Sequence, residues 1–481
     1  MNKKFLMIAS VLSSILISNI ANANNSMELT IYQVMQRVID RYPSLKISAM
    51  EVAQAAEQRQ QVESSLGWIL NSSAGVTHDL TGLGTPSDRL DLNASLARQL
   101  ESGATLSLSG GYRYEDSQLT FSPAFPNPAH TTTLDLSYRL PLAQGEGNPV
   151  YTEGLISSEA GHDLARANQL MTRITLAEKV KDLFYSALST QARLSNAKQA
   201  VLRARELSGY INKNVKLGLS EDKDQLQAQA QLNSKLADLS SIELQWQQQQ
   251  TSINRLMLED WNQQVQPTLM QLEKNNYNVI DLIKTTEAYH PAVKISQAQL
   301  DMAESSINSA LDSKKDNVDL VVSVGTRTSD GKSTTGTVSE KDWAGTVSIQ
   351  YKHLFDDKGV SSKYKQAMLE KNIALENTIK TNDDIRYTVS GLVAEIEAAR
   401  LAVNTAQQKL HSETLKLKEA EYRFRNGRAD TAQLIQFQNE HSLAQLAYQT
   451  QKIDLNNLII ALQIFSGQFW NELSKVHGVK K

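Results

Sequence analysis

From Ile385 onward, apolar residues recur in steps of four and three: Val389, Leu392, Ile396, Ala399, Val403, Ala406, Leu410, then Leu417, Ala420 and Phe424. Only Glu413 breaks the pattern. A stripe of this period, held over about five heptads, is a coiled-coil seam, because ~3.5 residues per turn keeps one edge of a helix against a partner. A helix from about Ser361 to Asn426 is roughly 100 Å long at ~1.5 Å rise per residue, too long for a compact core. The same alternation runs upstream through Leu194, Ala197, Val201, Ala204, Ser208, Ile211 and Val215. Both runs stop at a glycine, in Leu217-Gly218-Leu219 and in Asn426-Gly427-Arg428. Glycine reverses a helix end at low cost by taking the left-handed conformation. A second helical pattern follows each stop. One uses Leu226, Leu232, Leu236 and Leu239. The other uses Leu434, Phe437, His441, Ala444 and Tyr448, then Leu455, Leu458, Leu462 and Phe465.

These two hairpins belong to a larger duplication. Thr30 with Gln33 reads as a capping box, and Pro43 follows. Asn278 with Asp281 and then Pro291 repeat the arrangement 248 positions later (278 against 30, 291 against 43). At the same offset, Lys46-Ile47-Ser48 recurs as Lys294-Ile295-Ser296, so the chain reads as an internal repeat. Between proline and hairpin, each copy carries strand-like alternation. Leu134, Leu136, Tyr138 and Leu140 are interleaved with Asp135, Ser137 and Arg139. In the second copy, Trp343, Gly345, Val347, Ile349 and Tyr351 pair with an earlier segment through Val318, Leu320, Val322 and Val324. Apolar-out, polar-in alternation with aromatic ends fits a lipid-facing barrel strand; a soluble half-buried sheet has the same period. From proline to strand exit, the first copy is 36 residues longer than the second (142 against 43, 354 against 291). An extra hairpin fits there, with Leu90, Leu92, Ala94 and Leu96 facing Ala104, Leu106 and Leu108 across a turn at Gly103.

The predicted organisation is a signal peptide over 1–23, repeat 1 over 24–265 and repeat 2 over 266–481. Repeat 1 holds strands at about 68–142 and a hairpin at about 155–255; repeat 2 holds strands at about 318–355 and a hairpin at about 360–466. The first segment has Lys3 and Lys4, an apolar stretch from Phe5 to Ile20, and Ala21-Asn22-Ala23, the small-x-small pattern of signal cleavage. The stretch is short for a retained membrane helix. No later stretch is apolar enough to span a bilayer as a helix, so any membrane entry must be as a closed barrel.

The composition argues against catalysis and against nucleic acid. There is no cysteine, and 49 basic against 52 acidic residues give a net charge of −3, without a basic field. The eight histidines are scattered and form no close ligand pair. His290, before Pro291, and His441, on the heptad seam, read as structural. The expectation is therefore no catalytic residues, no metal and no cofactor. The stretches from Phe121 to Pro128 and from Thr326 to Lys341 read as exposed outer loops.

This ordered set, present twice, resembles the TolC-like outer-membrane efflux and secretion family over essentially the whole mature chain. The residues that carry the resemblance are the duplicated helix-proline starts, the strand-to-helix exits Pro141-Leu142-Ala143-Gln144-Gly145 and Leu354-Phe355-Asp356-Asp357-Lys358-Gly359, and the glycine-tipped hairpins. The resemblance implies a mostly α protein with a β-barrel portion. Three copies would form a helical α-barrel in the periplasm, and each would lend four or more strands to a shared 12-stranded barrel in the outer membrane. It implies a duct serving tripartite efflux or type I secretion, with a periplasmic adaptor, an inner-membrane pump and outer-membrane lipid as partners. The rival reading is a soluble periplasmic coiled-coil adaptor.

The resemblance also places a periplasmic entrance at the hairpin tips. Asp224, six residues after the first tip glycine, matches a family aspartate that helps hold the entrance shut. In the second repeat, Gln433 and Gln436 stand where acidic residues are expected, Phe424 replaces a tyrosine, and Ala429 replaces an arginine beside Arg425 and Arg428. Two readings of these charges follow. Asp224 pairs with Arg428 or Arg425 between neighbouring hairpins, or all are solvated tip charges contributing under about 1 kcal/mol each. Leu217, Gly218, Leu219, Asn426, Gly427 and Arg428 would form the adaptor-docking tips.

Overall fold

The computed structural model describes residues 27–80, 86–117, 126–270, 276–333 and 335–477. The predicted signal peptide and residues 121–125 of the first predicted loop lie outside them. The strands are β1 (Met27–Leu29), β2 (Trp68–Leu80), β3 (Pro86–Gln99), β4 (Thr105–Ser117), β5 (Ala129–Pro141), β6 (Val265–Pro267), β7 (Asn317–Ser333) and β8 (Gly336–Lys352). The helices are α1 (Ile31–Arg41), α2 (Pro43–Ser64), α3 (Pro149–Lys216), α4 (Asp222–Met257), α5 (Val279–Tyr289), α6 (Pro291–Asp312), α7 (Lys358–Arg425), α8 (Thr431–Phe465) and α9 (Gln468–His477).

Helix lengths repeat between the first and second halves of the chain. α1 and α5 each have 11 residues, α2 and α6 each have 22, and α3 and α7 each have 68. Pro43 and Pro291 open α2 and α6 at the first helical position, where a missing N–H costs nothing. Thr30 forms the expected capping box with Gln33. The second copy departs from it in detail: Asn278 accepts from the Ile280 N–H, and its amide donates to the Asp281 carboxylate at 2.6 Å.

The chain divides into two compact units, and each draws on both repeats. One comprises residues 1–48, 169–293 and 382–481 and holds the greater part of both long hairpins. Its largest core gathers Ile31, Val34, Met35 and Val38 of α1 with Val180 and Phe184 of α3, Met257 of α4, and Ile460 and Ile464 of α8. The short parallel pair β1–β6, which periodicity does not reveal in three-residue strands, and the C-terminal α9 cover this core. A matching core packs Val389 and Ile396 of α7 against Leu282 of α5 and Leu462 of α8.

The other unit, residues 49–168 and 294–381, carries one sheet in the order β2-β3-β4-β5-β7-β8, antiparallel throughout. The additional hairpin in repeat 1 is present as β3–β4, with Gly103 at φ +86° in its turn. The sheet thus has six strands. The stretch from Thr326 to Lys341 is not a loop: β7 runs to Ser333 and β8 resumes at Gly336. Its alternating threonines, serines and valine are polar in content yet keep the two-residue period, and strand pairing from Thr326↔Trp343 to Ser333↔Gly336 satisfies the backbone.

Register puts the two kinds of residue on opposite faces. One row runs Leu70↔Leu96, Leu96↔Leu108, Leu108↔Leu136 and Leu136↔Val324. The neighbouring row on the other face runs Asn71↔Ser95, Ser95↔Ser109, Ser109↔Asp135. The polar face also carries the pairs Arg113–Asp91, at 2.7 Å, and Arg139–Asp319. The apolar face is uncovered: Val76, Trp343, Val347 and Ile349 are each more than two-thirds exposed.

Candidate entrance site at the hairpin tips

Two helix-glycine-helix turns, on equal backbone plans, form the tips. Gly218 sits at φ +72° and Gly427 at φ +66°. In the first, the Gly218 N–H donates to Val215 O and the Leu219 N–H to Asn214 O. In the second, the Gly427 N–H donates to Phe424 O and the Arg428 N–H to Arg423 O. This double bond pattern satisfies the last carbonyls of α3 and α7 and requires the left-handed residue between them. The N-cap residues of the outgoing helices differ. Asp430 accepts from the Gln433 N–H at 2.7 Å, whereas Glu221 makes no side-chain cap.

A cluster shared by the two hairpins holds them side by side. Leu207 and Ile211 of α3, Ala228 of α4, Leu417 and Ala420 of α7, and Leu434 and Ile435 of α8 are buried together, with Phe424 and Phe437 against them. The predicted seam residues are therefore core residues here. Gln231 of α4 bonds Asn439 of α8 at 3.1 Å, and Arg203 of α3 donates to Ser442 of α8. Leu226 and Leu236 of the α4 pattern stand exposed, outside this packing. Glu413, the one break in the α7 seam, is nearly buried and paired with Lys416 at 2.9 Å.

The predicted charges do not pair within one chain. Among the described residues, no ion pair joins Asp224 to Arg425 or Arg428. Asp224 lies half-buried in the first turn of α4, where a helix N-terminus favours an anion. Arg425 and Arg428 are exposed. Sequence reasoning missed Lys223. Its ammonium bonds Glu221 at 2.8 Å, and Glu221, with Asp224 and Asp430 beyond it, raises its pKa above the ordinary lysine range. Asp430 belongs to the other hairpin, so Lys223 feels the acidic groups of both tips while its ion pair stays within the first. An aspartate three residues before Gln433 was a readable cap signal for that site. Gln433 is exposed, and Gln436 donates to Glu440 at 2.9 Å. Leu217 and Leu219 are largely exposed, so the first tip presents a small apolar surface and the second, through Asn426 and Arg428, a polar one.

No described helix is long and apolar enough to cross a membrane. A sheet with one uncovered apolar face and one polar face, in a chain with two glycine-ended helical hairpins, defines the class of outer-membrane channel proteins. The sequence profile described as "Outer membrane efflux protein" matches residues 19–257. The fold is similar to VceC of Vibrio cholerae, at 14% identity and TM-score 0.69 over 91% of this chain and 96% of that one. It is similar to the CmeC channel of Campylobacter jejuni, at 16% identity and TM-score 0.67 over 91% and 86%. It is also similar to the open state of the MtrE channel of Neisseria gonorrhoeae, at 14% identity and TM-score 0.63 over 91% and 89%. No curated protein matches significantly by sequence. The chain belongs to the outer membrane efflux protein family. Proteins of this family are trimeric outer-membrane channels that work with periplasmic adaptors and inner-membrane pumps.

Proposed function

We propose that this chain is a passive exit duct, of which three copies share one pore, and that its hairpin tips form the periplasmic entrance and adaptor-docking surface. The observation that carries the reading is the two-faced sheet. An apolar face with Val76, Val347 and Ile349 uncovered has a large transfer cost in water and none in lipid, and the opposite face is polar enough to line a wet lumen. A soluble coiled-coil adaptor would account for the heptads but would leave that face in water. At the entrance, Asp224 of one copy meets Arg428 or Arg425 of the next, and the buried cluster shared by the two hairpins holds the tips side by side. Gln433 and Gln436 leave the constriction with less negative charge than a carboxylate ring would give it. Cargo is selected by the pump rather than by the duct, so efflux of small molecules and one-step secretion both fit. The mature protein should leave the membrane fraction only with detergent, run as a heat-resistant trimer and conduct in discrete steps in planar bilayers. A lipid-indifferent monomer without channel activity would refute this reading.

A further inference from the structure

Among the described residues the sheet has six strands, and both of its edges are open. β2 at one edge is 13 residues long and β8 at the other is 17, and each bonds a neighbour along its whole length on one side only. Natural sheets blunt such edges with prolines, bulges or inward charges. β2 contains no proline and no lysine over Trp68–Leu80, and β8 contains no proline over Gly336–Lys352. The apolar face also reaches both edges undiminished, through Leu70 and Val76 on β2 and Val347, Ile349 and Tyr351 on β8, all exposed. Neither edge nor face is finished by the described residues of one chain.

Parity decides what can finish them. With six strands all antiparallel to their neighbours, β2 and β8 run in opposite directions. A second copy placed by rotation about a ring axis therefore sets its β2 antiparallel to the first copy's β8. The same ladder continues without a change of pattern, and the apolar side stays outward. Closure is the only arrangement that pairs every edge backbone group in a bilayer.

We infer that the trimer closes an eighteen-stranded barrel, six strands from each copy with β8 of one paired to β2 of the next, and not a ring of twelve. Barrel diameter grows roughly in proportion to strand number, so this ring is about one and a half times as wide as a twelve-stranded one, in the size class that leaves an aqueous channel. The lining is ready for water: the Asp91–Arg113 and Asp319–Arg139 pairs are among the charges it carries, between rows of serine and threonine. The outer-membrane segment then admits a broader cargo than a twelve-stranded segment would.

The inference rests on the trimeric duct reading, and one experiment separates the two. The full mature chain is purified in detergent and its barrel imaged end-on by cryo-electron microscopy. Because the chain has no cysteine, the four double variants that combine Asn71→Cys or Ser73→Cys on β2 with Thr346→Cys or Ser348→Cys on β8 report only the new contact. An eighteen-stranded ring, with oxidation linking chains into covalent dimers and trimers in at least one variant, is the expected result. A trimer with a twelve-stranded ring, and with two strands of each chain outside it, overturns this inference and leaves the duct reading standing. A lipid-free monomer overturns both.

Discussion

Asp224 is a half-buried carboxylate in the first turn of α4, with no partner of opposite charge at ion-pair distance among the described residues of its own chain. If Arg425 or Arg428 of the next copy supplies one, Asp224→Ala loosens the closed entrance. Single-channel conductance and antibiotic leakage should both rise, while the detergent-extracted trimer yield stays unchanged. Equal conductance would leave Asp224 a solvated tip charge. Gln436 makes the complementary case, because it is exposed and its amide donates to Glu440 one turn on. Gln436→Asp adds a charge per copy and should shift the reversal potential in a salt gradient toward cation selectivity; an unshifted potential would place the constriction elsewhere. His441 is a residue whose protonation opposes packing. Burial first, and then Arg203, hold its imidazole below the ordinary histidine range against the weaker pull of Glu421 and Glu413, and its Nδ1 is buried without a bond. The unfolded chain therefore binds the proton more readily. Its contribution is complete above about pH 6.5 and is lost as pH falls through the folded value. The loss of thermal stability between pH 7 and 5 should be smaller in His441→Leu than in the parent.

At the scale of elements, the sheet offers the sharper test, because adjacent positions point to different solvents. Leu136 lies mid-strand on the apolar face between Leu108 and Val324, and Ser109 lies on the polar face opposite Asp135. Leu136→Arg should cost about 2–4 kcal/mol of barrel stability, the penalty for a basic side chain near the bilayer midplane. Ser109→Arg, facing water and a carboxylate, should cost little. Denaturant titration of folded protein in lipid, read by heat-modified gel mobility, checks both. Equal losses would mean the faces are assigned wrongly. Much of this element plan was legible beforehand, because heptad period, tip glycines and two-residue alternation are local properties of the chain. The extra hairpin showed itself as a length difference and a glycine, and φ +86° at Gly103 is why the glycine is there. The long extension of β7 and β8 was not legible. Thr326 to Lys341 has loop-like composition, and its strand form depends on partners across the ladder. The charges around Lys223 were equally hidden, since Asp430 comes near them from a hairpin far away in sequence.

For the molecule as a whole, the long helices carry a second message. The α7 seam faces its own chain, and Val389, Ile396, Leu417 and Ala420 are buried there. Off that seam stand Tyr387, Leu401, Leu415 and Tyr422, each more than half exposed. They too are spaced by seven or fourteen residues (387, 401, 415, 422), with Ala394 and Gln408 at the intervening heptad positions. Such a helix has two seams, and one chain fills only one of them. Two-seamed helices are what a closed ring of helices needs, because every member must pack against a neighbour on each side. Under the trimer reading, the second seam of α7 meets the next copy. Leu401→Lys then places a charge in that contact. It should cost roughly 2–3 kcal/mol for each leucine no longer buried, felt three times per trimer. Because Leu401 lies outside the packed core of its own chain, helical circular dichroism should remain at the parent's level while the heat-resistant trimer falls apart at lower temperature. Ala420→Lys, inside the filled seam, should instead lower the helical signal itself. A Leu401→Lys trimer as heat-resistant as the parent would mean that the second seam faces solvent and that the copies meet through some other surface.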